Sequence, residues 1–153
     1  MRRMCLSMML AACAASASAA DITVNGAWWQ TLNRSDLIGS VGTDLVSSIE
    51  SAPAATTLTI ANTNGLRWRV EVTRAVDANW PPGVELAIRC GAESGINAGA
   101  TYLKLTSGAQ ALLEGSGDHA NIQMQFKLEG ASVDTLSATY NLVITYTLVP
   151  VSS

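Results

Sequence analysis

The chain has 153 residues, with 9 basic and 12 acidic side chains and a formal net charge of −3. That length predicts one folded domain. The basic residues are few and scattered, so no basic stripe is on offer to a nucleic acid.

The first stretch, MRRMCLSMMLAACAASASAAD, reads as a secretory signal. Arg2 and Arg3 form a basic start, Met4 to about Ala15 an apolar middle, and Ala17 to Ala20 the small residues a signal peptidase needs. The apolar run is too short for a spanning helix, which takes about 20 residues. Residues 1–20 are therefore expected to be removed, with cleavage near 19/20, and residues 21–153 to form a single β-sandwich domain. The expected location is the periplasm, the cell surface or the extracellular space. A second reading starts from Leu10-Ala11-Ala12-Cys13, which has the form of a lipoprotein box. Cleavage before Cys13 would leave a lipid-anchored chain, and only then is a membrane a partner. Cleavage near residue 20 removes Arg2 and Arg3 but no acid, leaving seven basic against twelve acidic residues, a net of −5. Cys5 and Cys13 belong to the leader, so Cys90 alone remains and no internal disulfide is expected. The remaining body is long enough to be held by core and sheet.

Past the leader, ITVNGAWWQT (22–31) predicts a strand in which Trp28 and Trp29 point to opposite faces. One can enter the core; the other is a candidate binding or interface residue, as a stacking platform for a sugar ring or an anchor for a protein. Residues 32–53 break the alternation. Leu37, Ile38, Val41, Leu45 and Ile49 have roughly helical spacing, and Thr43 could cap a short helix over 44–50. This stretch is expected to cross between two sheets. TTLTIAN (56–62) is a weak strand, followed by Asn64-Gly65, a type I′ hairpin signal.

LRWRVEVTR (66–74) then alternates cleanly, with Leu66, Trp68, Val70 and Val72 on one face and Arg67, Arg69, Glu71 and Thr73 on the other. Trp80, Pro81 and Pro82 form a rigid turn tip. Val84, Leu86, Ile88 and Cys90 make the next apolar face. Weaker strands follow at 101–106, which carries Tyr102, and at 109–114. Ile122, Met124, Phe126 and Leu128 face inward on the strand 121–129, opposite Gln123, Gln125, Lys127 and Glu129. The terminal run 139–149 has two apolar-leaning faces and no charge, so at least one of its edges must be covered. It is expected to be a central strand of its own sheet, with any pairing in trans coming from residues 21–31. About eight short strands joined by tight turns predict an all-β fold, an antiparallel immunoglobulin-like β-sandwich. A small barrel is the alternative.

Recognisable catalytic chemistry is sparse. His119 is the single histidine, and its neighbour Asp118 should point away from it at a strand start, so an exposed turn histidine is expected. One histidine and one body cysteine cannot make a zinc site without carboxylates. Glu71, Glu85 and Glu129 lie on wet strand faces, where charge discourages edge aggregation. No enzymatic activity, metal or cofactor is expected.

Together, the leader, the disulfide-poor sandwich and the closing TYNLVITYTL (139–148) resemble the secreted pilin-like proteins, which include fimbrial subunits and spore-coat-U-like proteins. The cysteine pair common in those families is absent. The resemblance implies a structural or surface-assembly role in which subunits polymerise by strand addition, the partner being a second copy or another surface protein. In that picture DITVNGAWWQ (21–30) could be the donated strand. The alternative is an extracellular carbohydrate-binding module whose candidate residues are Trp28, Trp29, Trp80 and Tyr102, with a glycan as partner.

Overall fold

A computed structural model describes residues 4–12, 20–33, 36, 48–99, 101–132 and 138–152. Twelve strands and no α-helix occur among them. In chain order these are β1 (Met4–Ala12), β2 (Asp21–Gly26), β3 (Trp29–Leu32), β4 (Ser48–Glu50), β5 (Thr56–Ala61), β6 (Arg67–Val76), β7 (Glu85–Cys90), β8 (Ile96–Ala98), β9 (Leu103–Lys104), β10 (Gln110–Ser116), β11 (His119–Glu129) and β12 (Thr139–Pro150).

They form two sheets. The first runs β3-β1-β12-β6-β10-β8, and the second β2-β5-β11-β7-β9, with β4 also on β11. Every described pairing is antiparallel except that of β1 with β12. The architecture is the expected all-β sandwich, with more strands than the eight anticipated. Short β4, β8 and β9 supply part of the excess, because three- and two-residue strands carry too little alternation to be read.

One apolar core lies between the sheets. Trp68, Val70 and Val72 of β6 and Tyr140, Leu142, Ile144 and Tyr146 of β12 meet Leu86 and Ile88 of β7 and Ile122, Met124, Phe126 and Leu128 of β11. All are buried, as the alternation required. Packing sets a close limit at Gly115 of β10: a Cβ there would lie 2.7 Å from the Trp68 ring. The indole Nε1 donates to the Gly117 carbonyl at 2.8 Å, which satisfies its polar end inside the core.

Four local expectations change. Leu66 is 58 % exposed because β6 begins one residue later and Leu66 closes the preceding turn, its amide donating to the Thr63 carbonyl. Asn64 and Gly65 do have positive φ, but the turn carries the chain from β5 in the second sheet to β6 in the first. It is a corner rather than a hairpin. Asn62, also at positive φ, and Thr63 extend it, and the Asp118 carboxylate accepts from both amides and from the Thr63 hydroxyl. The single strand expected over 22–31 divides at Gly26, with β2 in one sheet and β3 in the other. Gly26 has φ +95°, and a Cβ there would meet the Ala55 carbonyl at 2.6 Å, so glycine alone fits this crossing. Finally, residues 48–50, expected in a helix over 44–50, are strand β4, and 41–47 lie outside the described residues. The expected change of sheet over 32–53 is seen, since β3 and β4 belong to different sheets.

Candidate functional site

The closing strand β12 draws attention first. It pairs with β6 from Leu142↔Val76 to Pro150↔Trp68. Its other edge is covered by β1, running parallel from Cys5↔Thr139 to Ala12↔Tyr146. β12 is therefore central in its sheet. β1 in turn holds β3, from Met4↔Leu32 to Ser7↔Trp29, and β3 has no other strand partner among the described residues. Across the sandwich, β2 packs against β1 and β12. The place occupied by β1 thus has two walls, β12 and β3, and a floor, β2.

This place differs from the other sheet ends. β8 and β9 are three and two residues long. β9 carries Lys104 in an ion pair with Glu85, and β2 begins with Asp21. Short length and charge are how edges avoid pairing with strangers. β12 is twelve residues long and has no charged side chain. Tyr140, Leu142, Ile144 and Tyr146 are buried along it.

The four candidate aromatic residues do not share a surface. Trp28 is core, 7 % exposed and stacked on Phe126 with ring centroids 6.0 Å apart. Trp29, next to it, is 64 % exposed on β3. The pair splits between inside and outside as expected, and Trp29 is the member available to a ligand. Trp80 packs edge-on against Tyr140 at 6.4 Å and donates its Nε1–H to the Val84 carbonyl at 2.8 Å, which makes it a fastening of the turn tip. Tyr102 lies over the second sheet, with the Arg89 guanidinium and the Lys127 ammonium each 4.7 Å from its ring centroid. Those cations compete with any sugar for the ring. A cavity of about 140 Å³ opens beside it, lined by Arg89, Cys90, Tyr102 and Leu112 among others.

Several polar groups have local partners that the sequence concealed. His119 was expected on an exposed turn, yet its side chain is 14 % exposed. Its Nδ1 lies 3.3 Å from Glu93 Oε1 and its Nε2 3.2 Å from the Ser116 carbonyl, with Trp68 edge-on at 5.8 Å. Asp118 turns away from the ring, as expected, to cap the 62–63 corner. Hydrogen bonds from the Thr63 hydroxyl and amide, then from the Asn62 amide, hold its carboxyl below the ordinary aspartate value. Cys90 is half-buried at the end of β7, its Sγ 3.1 Å from the Gly91 carbonyl. Burial, and secondarily the Glu93 charge, pushes its thiol up to about 11, so the thiolate nucleophile is suppressed. Glu71, Glu85 and Glu129 each pair with a base on the wet faces: Arg69, Lys104 and Lys127. Among the described residues no group of three His, Cys, Asp or Glu is placed to hold a metal ion. No helix among them is long and apolar enough to cross a membrane.

Gln125 was expected on the wet face but is 7 % exposed. Its amide donates to the Ser51 carbonyl at 2.9 Å and its carbonyl accepts two bonds from Arg89. Ser51 covers it because it fills a gap along the edge of β11. β5 pairs with β11 up to Met124 and β4 resumes at Lys127. Between them the Ser51 amide donates to the Phe126 carbonyl and the Phe126 amide to Ser51 Oγ, both at 2.9 Å. No pattern of apolar residues announces a serine in that role.

Comparison with known proteins adds no relative: no family model, no curated protein and no solved structure matches this chain.

Proposed function

We propose that this chain is an exported, non-catalytic structural subunit of a surface assembly, and that it assembles by strand addition along the outer edge of β12. One observation carries the reading. Among the described residues, the longest uncharged strand of the sandwich is covered on that edge by residues 4–12, and those residues belong to the segment expected to be removed on export. Either cleavage, near residue 20 or before Cys13, takes them away. An uncharged edge with eight register positions is then open, and main-chain hydrogen bonds to a new strand are the means of closing it. The sequence expectation placed trans pairing at residues 21–31. β2 instead pairs in cis with β5, from Asp21↔Ala61 to Gly26↔Thr56, so the reading moves to β12.

Light scattering coupled to gel filtration tests it, on the processed chain recovered from an exporting host and on the full chain made without export. The processed chain should form concentration-dependent assemblies or co-purify with a partner, and the full chain should remain smaller. Identical, strictly monomeric behaviour of both, with no partner, refutes it.

The exposure of Trp29 favours a second reading, the extracellular carbohydrate-binding module. It predicts tryptophan quenching by some member of a broad glycan panel, abolished by Trp29→Ala. A panel without response removes it.

A further inference from the structure

We infer that Asn64-Gly65 is a site of spontaneous covalent modification, at which Asn64 deamidates through a succinimide with water as co-reactant, and that the isoaspartate product loosens the corner joining the two sheets. This goes beyond the assembly reading and does not rest on it.

The dipeptide Asn-Gly occurs twice in the chain, at 25–26 and 64–65, each time behind a β-branched residue, Val24 or Thr63. Asparagine is a thermolabile residue. Its side-chain carbonyl carbon lies within reach of the next backbone nitrogen, and a glycine there brings no side chain to hinder the approach. The sequence therefore offers two equivalent sites, and the fold separates them.

Asn25 and Gly26 are fastened. Both lie in β2, level with Thr57 and Thr56 of β5. Gly26 passes so close to the Ala55 carbonyl that a Cβ would lie 2.6 Å from its oxygen. Ring closure has to turn this backbone out of the ladder and past that contact.

Asn64 and Gly65 are not fastened. Both are exposed, in the corner between β5 and β6. Among the described residues, neither the Asn64 side-chain amide nor the Gly65 N–H has a hydrogen-bond partner. Beyond its chain neighbours, no atom lies within 4 Å of the place a Gly65 Cβ would take. Asn64 sits at φ +53° and must rotate to bring its Cγ to the Gly65 nitrogen. That rotation breaks no hydrogen bond of either residue and meets open space.

The reaction balances without an oxidant or reductant. The Gly65 nitrogen bonds to Asn64 Cγ, the Cγ–Nδ2 bond breaks, and Nδ2 leaves as ammonia with the proton that the glycine nitrogen gave up. Water then opens the ring at one of its two carbonyls. Opening at Cγ gives aspartate. Opening at the other carbonyl gives isoaspartate, in which the main chain runs through Cβ and Cγ.

Either product puts a carboxylate where a neutral amide stood. Isoaspartate also lengthens, by one main-chain atom, a turn that is tied at several points. The Leu66 amide donates to the Thr63 carbonyl at 3.0 Å and the Gly117 amide to the Leu66 carbonyl at 3.2 Å. The Asp118 carboxylate accepts from the Asn62 and Thr63 amides. A longer turn cannot keep all of these bonds, and a new negative charge one residue from Thr63 repels the carboxylate that holds it.

The test holds the full chain folded at mildly alkaline pH and maps it at intervals by mass spectrometry, with fragmentation that distinguishes isoaspartate from aspartate. The same chain in urea is the reference. In urea both sites should react at similar rates. In the folded chain Asn25 should react at least about tenfold more slowly than Asn64, because a paired strand must open first. Both isoaspartate and aspartate should appear at 64, the mark of a common succinimide. Amide exchange of the isoaspartate form should show Asn62 and Thr63 losing protection at least about tenfold. Asn64→Asp carries the charge without the extra main-chain atom and should keep most of that protection. Asn64→Gln should pass through the same incubation with its corner unchanged.

Equal rates at 25 and 64 in the folded chain, or reaction at neither, overturn the assignment of the site. Aspartate alone at 64 overturns the succinimide route. Unchanged protection at 62 and 63 in the isoaspartate form overturns the loosening, as does an equal loss in incubated Asn64→Gln. An equal loss in Asn64→Asp overturns the argument from main-chain length.

Discussion

Ser51→Ala probes how β11, the middle of the second sheet, is held along its divided edge. The Ser51 hydroxyl is the sole acceptor for the Phe126 amide among the described contacts, at 2.9 Å, and Phe126 is fully buried. Removing the oxygen leaves the two backbone-carbonyl bonds of this site intact, those from the Ser51 amide to Phe126 and from the Gln125 side chain to Ser51. The hydroxyl's own bond to the Ala52 carbonyl, 2.9 Å, is lost too, but Ala52 is exposed and water can replace it; the main loss is one buried N–H, whose desolvation without a partner costs about 1–3 kcal/mol. For a domain of this size that corresponds to roughly 3–5 °C in Tm per kcal/mol. Urea unfolding of wild type and variant gives the free-energy difference, provided the slope is unchanged. Amide exchange locates it: protection should fall at Phe126 beyond the uniform loss seen at Met124 and Leu128, which keep their partners in β5, β4 and β7. A difference below about 0.5 kcal/mol, the ordinary scatter of surface substitutions, together with unchanged Phe126 exchange, would refute the argument that this hydroxyl bridges the gap.

Other outcomes follow from the same geometry. Trp28→Ala should cost about 3–5 kcal/mol, as large aromatic deletions in cores do, whereas Trp29→Ala, at an exposed position, should stay within about 0.5 kcal/mol; denaturant midpoints of the two variants compare them directly. Asp118 has a lowered carboxyl pKa, so its stabilising contribution is present above the unfolded aspartate range and lost as pH falls through the folded value. Asp118→Asn should flatten the acid limb of a stability-versus-pH curve, and an unchanged limb refutes the corner-capping role. With its thiol near 11, Cys90 should react with a disulfide reagent at pH 8 on the order of 100-fold more slowly in the folded than in the unfolded chain. As pH climbs from the unfolded thiol value towards 11, the folded state should lose stability, since the unfolded chain ionises first; Cys90→Ala should make that slope shallower, the remainder coming from Tyr146, Tyr102 and Lys104, whose pKa values are also raised.

Alternation was legible wherever one side of a strand is wet. Val70 and Val72, Leu86 and Ile88, and the inward row of β11 are buried as read, because a period of two depends only on neighbouring residues. What connects those strands depends on distant ones. Asn64-Gly65 has the backbone conformation its residues demand, yet it joins two sheets, since the partner of β5 is β11 and that of β6 is β12. Gln125 and His119 were misplaced for a related reason: a polar side chain is buried when Ser51, Arg89 or Glu93 arrives from elsewhere in the chain to satisfy it.

The candidate site divides along the same line. That β12 needs cover was readable from its own residues, because an uncharged edge is a hazard regardless of neighbours. What covers it was not. Apart from Ser7, Met4–Ala12 is apolar at both odd and even positions, so periodicity cannot separate a buried strand from the apolar stretch of a leader. A segment without charge suits a place between β12 and β3 and suits a membrane-targeting signal equally well. The properties expected of an export signal therefore also suit the segment to the edge, and its proposed removal would take away the uncharged nine-residue strand that pairs with β12. If residues 1–20 are removed as proposed, β12 presents an uncharged twelve-residue edge, and covering such an edge is what the proposed assembly would do.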